Sequence, residues 1–302
     1  MSYYAVMEAL QEEHLPITYT FTSTFRIATP LVPDEPGYLI KDIGFDFYDA
    51  VGVNETDLIV GVFASDDGDG VAWFELMGGM LTDAGYTTST WEDELGLFPM
   101  DTTDYTPIID AWIADGVNAI WGNCPAPHFK DLWTQAYARG LRPQVIFAAR
   151  AGLFWLDMDG LDELAIGIGL EGWWHNAYDP DLAPGFGDTT PQSLYERWVE
   201  DTGQPLNPNI GWGYANLQVL ADAIERAGSL DGAAIRDALE TTDLATIAYR
   251  IKYDPADQNS PVPLHYFQWF WDEDLETVIP EVVVSHHDFI PVTAAPLYPI
   301  FP

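Results

Sequence analysis

Between Asp101 and Arg142 the chain reads as helix, strand and helix in quick succession, and that order constrains the fold more than any other stretch. Tyr105, Ile108, Ile109 and Trp112 recur at helical spacing, with Asp104 positioned as an N-cap. A turn at Asp115-Gly116 leads into a short apolar run, Val117 to Trp121. The small loop Asn123-Cys124-Pro125 then opens a second helix carrying Phe129, Leu132, Trp133 and Ala136, closed by Gly140. A strand end facing a helix start is where an open α/β sheet places a small ligand. That makes Asn123 and Cys124 the first candidate site residues.

The same alternation runs along the rest of the chain. Ser2 caps a helix to about Glu13, and Pro16 to Phe21 alternates as a strand. A Pro-rich crossing, Thr29 to Pro36, leads to a helix-like stretch from Tyr38 to Ala50. Leu58 to Phe63 is continuously apolar, as in a parallel strand buried on both faces. Trp73, Met77, Met80 and Leu81 mark a helix ended by Gly85, and Gln144 to Ala148 supplies another strand. Leu164 to Trp174 reads as a strand, and the polar, Pro-rich segment His175 to Pro191 begins a return crossing. Leu194 and Trp198 share a helix. Ala248 to Tyr253 and Leu264 to Trp271 alternate as strands, and the tail from Val282 to Pro302 has no assigned role. Strands alternating with helices predict an α/β fold of parallel sheets with helices on both faces.

Three blocks, in this order, carry a resemblance: Glu12 to Thr24 (EEHLPITYTFTST), the 101–142 unit, and Gly211 to Asp243, a long helix, a Gly-ended turn and an AI..AL helix. Together they resemble the periplasmic binding proteins of the Leu/Ile/Val-binding (branched-chain amino-acid) family, which serve ABC importers. The resemblance implies two Rossmann-like lobes joined by a multi-crossing hinge that close on a small solute without altering it. Residues 1–52 and 175–252 would form the first lobe, 53–174 and 253–280 the second, and 281–302 a tail. It also implies a permease partner, a monomer, and a periplasmic or extracellular, membrane-associated location. A ligand-sensing regulator of the same fold is the alternative. The family's first two βα units have no counterpart here, so the first lobe is expected to be incomplete, as in an N-terminally truncated reading of a longer gene. A signal peptide or lipid anchor would have been lost with that piece.

By the same resemblance, the hydroxyl loop after the first strand contacts the ligand through Phe21, Thr22 and Ser23, and Ser2 adds a further contact. A Thr/Ser-rich surface turn is the other reading of that loop. Ser65-Asp66-Asp67-Gly68-Asp69-Gly70 follows the Leu58–Phe63 strand and opens a helix. Its DxDG string fails as a calcium loop, because the position of the bidentate Glu falls on Leu76. Family members commonly place an aromatic residue where Asp67 stands; its charge either holds a ligand ammonium or is solvated. Arg150 follows the Gln144–Ala148 strand, where relatives that bind α-amino acids commonly carry an acid. Turned into a cleft, it would favour a carboxylate through a bidentate pair. Turned outward, it is a counter-ion for Asp157 or Asp159. Cys124 is either a ligand contact or a small residue filling a tight loop. Trp173, Trp174 and His175 wall the cleft or fill the lobe interface.

Composition narrows the partners. The net charge is −37, from 48 acidic residues against 11 basic ones, with Asp outnumbering Glu 31 to 17. Repulsion on that scale loosens a compact state and is relieved by salt, which is read as adaptation to high salinity; an acidic extracytoplasmic protein from an ordinary environment is the other reading. Nucleic acid and anionic lipid need a basic stripe that is absent. A single cysteine excludes an intrachain disulfide and a Cys-based zinc site. His286-His287, adjacent in an expected strand, would point to opposite faces, so no metal is assigned. No cofactor is expected, and no GxSxG elbow, P-loop, GxGxxG fingerprint or HExxH helix marks an enzyme.

Overall fold

The computed structural model describes residues 18–19, 25–31, 38–89, 97–207, 210–254, 256 and 258–301. Two short strands come first, β1 (Thr18–Tyr19) and β2 (Phe25–Leu31), then helix α1 (Asp42–Val51). The parallel strand β3 (Ile59–Ser65) leads into α2 (Gly68–Asp83), and the two-residue strands β4 (Thr87–Thr88) and β5 (Leu97–Phe98) pair beside it. The unit that opened the sequence reading appears as α3 (Thr106–Asp115), β6 (Ala119–Asn123) and α4 (Ala126–Ala138). Next come β7 (Val145–Ala149), the short α5 (Trp155–Met158) and β8 (Ile168–Gly172). Three helices follow, α6 (Pro191–Thr202), α7 (Ile210–Ala227) and α8 (Gly232–Leu239). The chain then runs through β9 (Asp243–Thr246), β10 (Tyr249–Lys252), β11 (Asn259–Pro263), β12 (His265–Asp272) and β13 (Thr277–Ser285).

The larger sheet has eight strands in the order β13-β12-β8-β7-β6-β3-β4, with β5 also on β3. Strands β3 to β8 are mutually parallel, while β12 runs antiparallel to β8 and to β13. The smaller sheet joins β1, β2 and β11, all parallel, and β9 and β10 form a hairpin. This is the expected α/β class: β6 and β7 are buried along their whole length, as strands covered on both faces must be. On one face α1 lays Phe45 against Trp121 (ring centroids 5.2 Å) and Phe47 against Tyr266 (4.6 Å), while Trp73 of α2 meets Phe147 (6.4 Å). On the other, Phe129 of α4 stacks on Phe63 (5.6 Å), and Trp112 of α3 fills the space over Gly61. The buried apolar side chains join in one large cluster, with a smaller one around Trp174, Tyr178, Ala215 and Ile290.

Several boundaries depart from the sequence reading. Asp104 does bond the Thr106 amide (2.9 Å), but Tyr105 occupies the cap position of α3. Residues 42–51 were expected in the first lobe, yet α1 packs its Ile43, Phe47 and Tyr48 stripe on the larger sheet. Residues 259–263 were expected in the second, yet β11 pairs with β2. Neither could be read locally, because an apolar stripe does not name the sheet it covers. The expected strand from Leu164 is shorter, since residues 162–165 form a 3-10 turn before β8. Part of the expected tail is strand: Glu281 to Ser285 close β13, and the end of the chain docks on Gln144 and Gln268. His286 and His287 lie beyond that strand, and His286 contacts Asp46 (2.8 Å). The helix from Ser2 and the loop at Phe21, Thr22 and Ser23 lie outside the described residues.

Most arginines are already matched. Arg139, Arg150, Arg197, Arg226, Arg236 and Arg250 each pair with an aspartate, so the remaining excess of acid is uncompensated. Shortening the Debye length from about 10 Å at 0.1 M salt to about 3 Å at 1 M screens repulsion among those acids. The thermal midpoint should therefore rise between dilute buffer and molar KCl; a falling midpoint would show that the ion pairs outweigh the repulsion.

Candidate functional site

The carboxyl ends of β3, β6, β7 and β8 lie side by side, and side chains from the loops after β3 and β7 meet there. Asp67 ends the loop after β3 and caps α2, its Oδ1 accepting from the amides of Asp69 (3.1 Å) and Gly70 (2.8 Å). The DxDG string is thus a helix cap. Gly70 is required for it: a Cβ there would sit 2.0 Å from the Ser65 carbonyl oxygen. Ser65 donates its hydroxyl to Asp67 Oδ2 (3.0 Å).

Arg150, just past β7, reaches across to this loop. Its Nη2 donates to Asp67 Oδ2 (2.7 Å) and Nη1 to Asp69 Oδ2 (2.9 Å), with longer contacts to Asp67 Oδ1 and Ser65 Oγ (both 3.3 Å). Partners for Arg150 at Asp157 or Asp159 are therefore replaced by two aspartates 83 and 81 positions away in sequence. The backbone at Arg150 is left-handed (φ 59°), which aims the side chain back over the strand ends. Burial tends to raise the Asp67 pKa, but the Arg150 bond and the Gly70 amide outweigh it and hold the carboxyl at about 2. In this arrangement the guanidinium and Asp67 satisfy each other, so neither offers a free charge to a ligand.

Asn123 and Cys124 follow at the end of β6. Cys124 is fully buried among apolar side chains, and burial pushes its thiol well above the usual range. Such a thiol is inert. Asn123 is 1% exposed, and among the described residues its Oδ1 has no hydrogen-bond partner.

Two residues that the sequence reading passed over have the same property. Glu171 of β8 and Lys41, which precedes α1, are each 6% exposed, and Glu171 Oε2 and Lys41 Nζ have no hydrogen-bond partner among the described residues. Burial, with Asp69 nearby, lifts Glu171 to about 8; burial lowers Lys41 to about 8 despite Asp42. Lys41 Nζ lies 5.6 Å from the Trp73 ring. A carboxylate inside the apolar run of β8 was the visible signal for Glu171. Lys41, one of three lysines, carried no comparable mark.

Trp173, Trp174 and His175 are buried where β8 leaves the sheet, and they act as filling. Trp173 packs on Trp212 (5.3 Å), and the Trp174 indole donates to the Ile247 carbonyl (2.9 Å). Among the described residues no group of three or more His, Cys, Asp or Glu side chains is placed to hold a metal ion. No described helix is long and apolar enough to cross a membrane.

Several solved structures share this fold. In solved structures, a leucine binding protein from Thermotoga maritima superposes with TM-score 0.69 at 17% identity, covering 93% of this chain and 76% of that one. A solute binding protein of an ABC transporter from Rhodopseudomonas palustris, in complex with 3,4-dihydroxybenzoic acid, gives 0.67 at 12% identity, covering 96% and 76%. A fatty acid ABC transporter substrate-binding protein from Thermomonospora curvata gives 0.67 at 14%, covering 96% and 75%. At these identities the likeness is one of fold. No curated protein matches the chain. A family model described as periplasmic binding protein, however, matches residues 60–272, from β3 through β12. The chain belongs to the periplasmic binding protein family.

Proposed function

We propose that this chain is the extracytoplasmic solute-binding protein of an ABC importer, capturing a small amino acid, amide or carboxylate by hinge closure and passing it unchanged to a permease. The observation that supports this reading is that Asn123 Oδ1 and Glu171 Oε2, buried near the carboxyl ends of parallel strands, have no hydrogen-bond partner among the described residues. Burying an unpartnered polar group costs about 1–3 kcal/mol, so such atoms are retained where a ligand supplies the partner. In this reading residues 1–52 and 175–252 form one lobe and 53–174 and 253–280 the other, with 42–51 assigned to the second because α1 packs on the larger sheet and 259–263 to the first because β11 pairs with β2. On this reading Asp67, Asn123, Cys124 and Arg150 border one side of the cleft. The ligand draws the two lobes together, and the permease reads the closed form.

A thermal-shift screen of amino acids, short amides and carboxylates in molar KCl tests this. A ligand at a hundred times its Kd stabilises the native state by about 2.7 kcal/mol, a shift of several degrees. At least one compound should produce it and be recovered unaltered. A chemically converted compound would instead show an enzyme, and silence across the whole panel would remove the binding role.

A further inference from the structure

The described passages of the chain between the two sheets meet at one buried cluster. Leu264 alone separates β11 of the smaller sheet from β12 of the larger. The chain leaving β8 enters the smaller apolar cluster at Trp174 and Tyr178, and the chain leaving β13 enters it at Phe289 and Ile290. His265, the first residue of β12, lies with its Nδ1 3.1 Å from the Tyr178 hydroxyl. Tyr178 in turn meets Phe289 edge to face (5.8 Å), and the His175 ring stands 6.4 Å from that of His265. One hydrogen bond and a run of rings thus tie the three passages together.

Both imidazoles are placed to be neutral. His175 is 5% exposed; its Nδ1 accepts from the Ala177 amide (3.1 Å), leaving Nε2 to donate to the Pro280 carbonyl (3.3 Å). A proton on Nδ1 would displace that amide. His265 is fully buried, and its Nε2 has no hydrogen-bond partner among the described residues. The ring lies over Gly172, its register partner, where a Cβ would stand 2.4 Å from Nε2. Doubly protonated, it would carry an N–H with nothing to accept it.

The surrounding elements supply no compensating charge. On β8, Glu171 projects to the face opposite Gly172 and pairs with Tyr266. On β13, Ser285 stands opposite His265, and Glu281 pairs with Gln268 further along. Asp46 of α1 is engaged by His286 (2.8 Å). The charges that act on His265 are those of His175 and His287, both of its own sign, and burial with these neighbours holds it well below the ordinary range. Burial likewise lowers His175 to about 4.

Resting on hinge closure as the mode of capture, we propose that His175 and His265 make the hinge acid-sensitive, their protonation favouring the opened form. Opening hydrates the rings and returns them to about 6.5, so the open hinge binds protons that the closed one refuses. By linkage the closed hinge is tightest above about pH 6.5 and weakens as pH falls from there toward 4.

Hydrogen exchange of the full chain in molar KCl, at pH 7 and 5 and normalised to intrinsic exchange rates, tests this without a solute. Protection of 173–178, 264–267 and 285–289 should fall at least about tenfold at pH 5, while β6 and β7 keep theirs. The double variant His175→Gln, His265→Gln should lose that pH dependence. Tyr178→Phe, which removes the bond but no group titrating in this range, should loosen the same segments about equally at both pH values. Any solute from the thermal-shift panel should need at least several-fold more compound for half-saturation at pH 5, and the double variant should lose this difference. Equal protection at pH 7 and 5, a loss shared by β6 and β7, or a double variant as pH-dependent as wild type overturns the hinge element and leaves the binding role standing. Hinge segments that loosen in acid in a protein silent to the whole panel leave the element standing and remove the binding role.

Discussion

Gly70→Ala should destabilise the protein by about 3 kcal/mol or more and disable ligand capture, although alanine is the better helix former by about 1 kcal/mol. Gly70 sits in the first turn of α2, where an added methyl would stand 2.0 Å from the Ser65 carbonyl oxygen and 2.9 Å from the Ser65 hydroxyl. The obstacle is mainly backbone, so no rotamer change can relieve it. The helix start must move away from β3, pulling the Gly70 amide from Asp67 and Asp67 from Arg150. Gly78→Ala and Gly79→Ala in the same helix are the controls, since a Cβ at either meets nothing within 4 Å. Each should stabilise by about 0.5–1 kcal/mol. Urea midpoints of the three variants read the contrast; a Gly70 variant that shifts with the controls would refute the tight cap.

Arg150→Ala should cost about 2 kcal/mol at neutral pH. Breaking a fully buried ion pair costs about 3–5 kcal/mol, and this one is discounted because its side chains are 28% and 27% exposed. Alanine keeps the unfavourable left-handed backbone at φ 59°, so Arg150→Gly should recover about 1 kcal/mol of the loss. The pH dependence identifies the partner. Asp67 titrates at about 2 in the fold against about 3.9 in an open chain, and a depressed acid stabilises above its unfolded pKa. Its contribution is complete above about pH 4 and is lost as pH falls toward 2. The wild-type minus variant difference in unfolding free energy should shrink over that window, the many other carboxylates cancelling in the subtraction. A difference independent of pH between 7 and 2 would mean that Arg150 stabilises through something other than Asp67.

The strands of the larger sheet were legible because their causes are local. Leu58 to Phe63, Val117 to Trp121 and Gln144 to Ala148 are apolar runs, and β3, β6 and β7 begin within a residue or two of the expected positions. Helix ends were legible for the same reason: Gly85, Gly116 and Gly140 take the left-handed backbone that stops a helix. β11 and β13 were missed. Asn259 to Pro263 holds two prolines, which argue against a strand, yet it lies at the edge of a three-stranded sheet, where a missing N–H is tolerated. The positions of Asp67, Asn123 and Arg150 just past strand ends were legible from the order of strands and helix starts. Their bonding was not, because Asp67 and Arg150 are matched by a contact spanning 83 residues.

Local chemistry was therefore enough to determine the α/β alternation and to put the loops at Asp67, Asn123 and Arg150 at the ends of parallel strands. Sequence alone also established the acid excess. Which charges remain available was decided only in three dimensions. Folding brings Arg150 onto Asp67 and Asp69, cancelling the guanidinium, and buries Glu171, Asn123 and Lys41 with polar atoms that have no partner among the described residues. Hydrogen bonding and desolvation act over a few ångströms of space, and distance along the chain carries no record of which groups that space will hold.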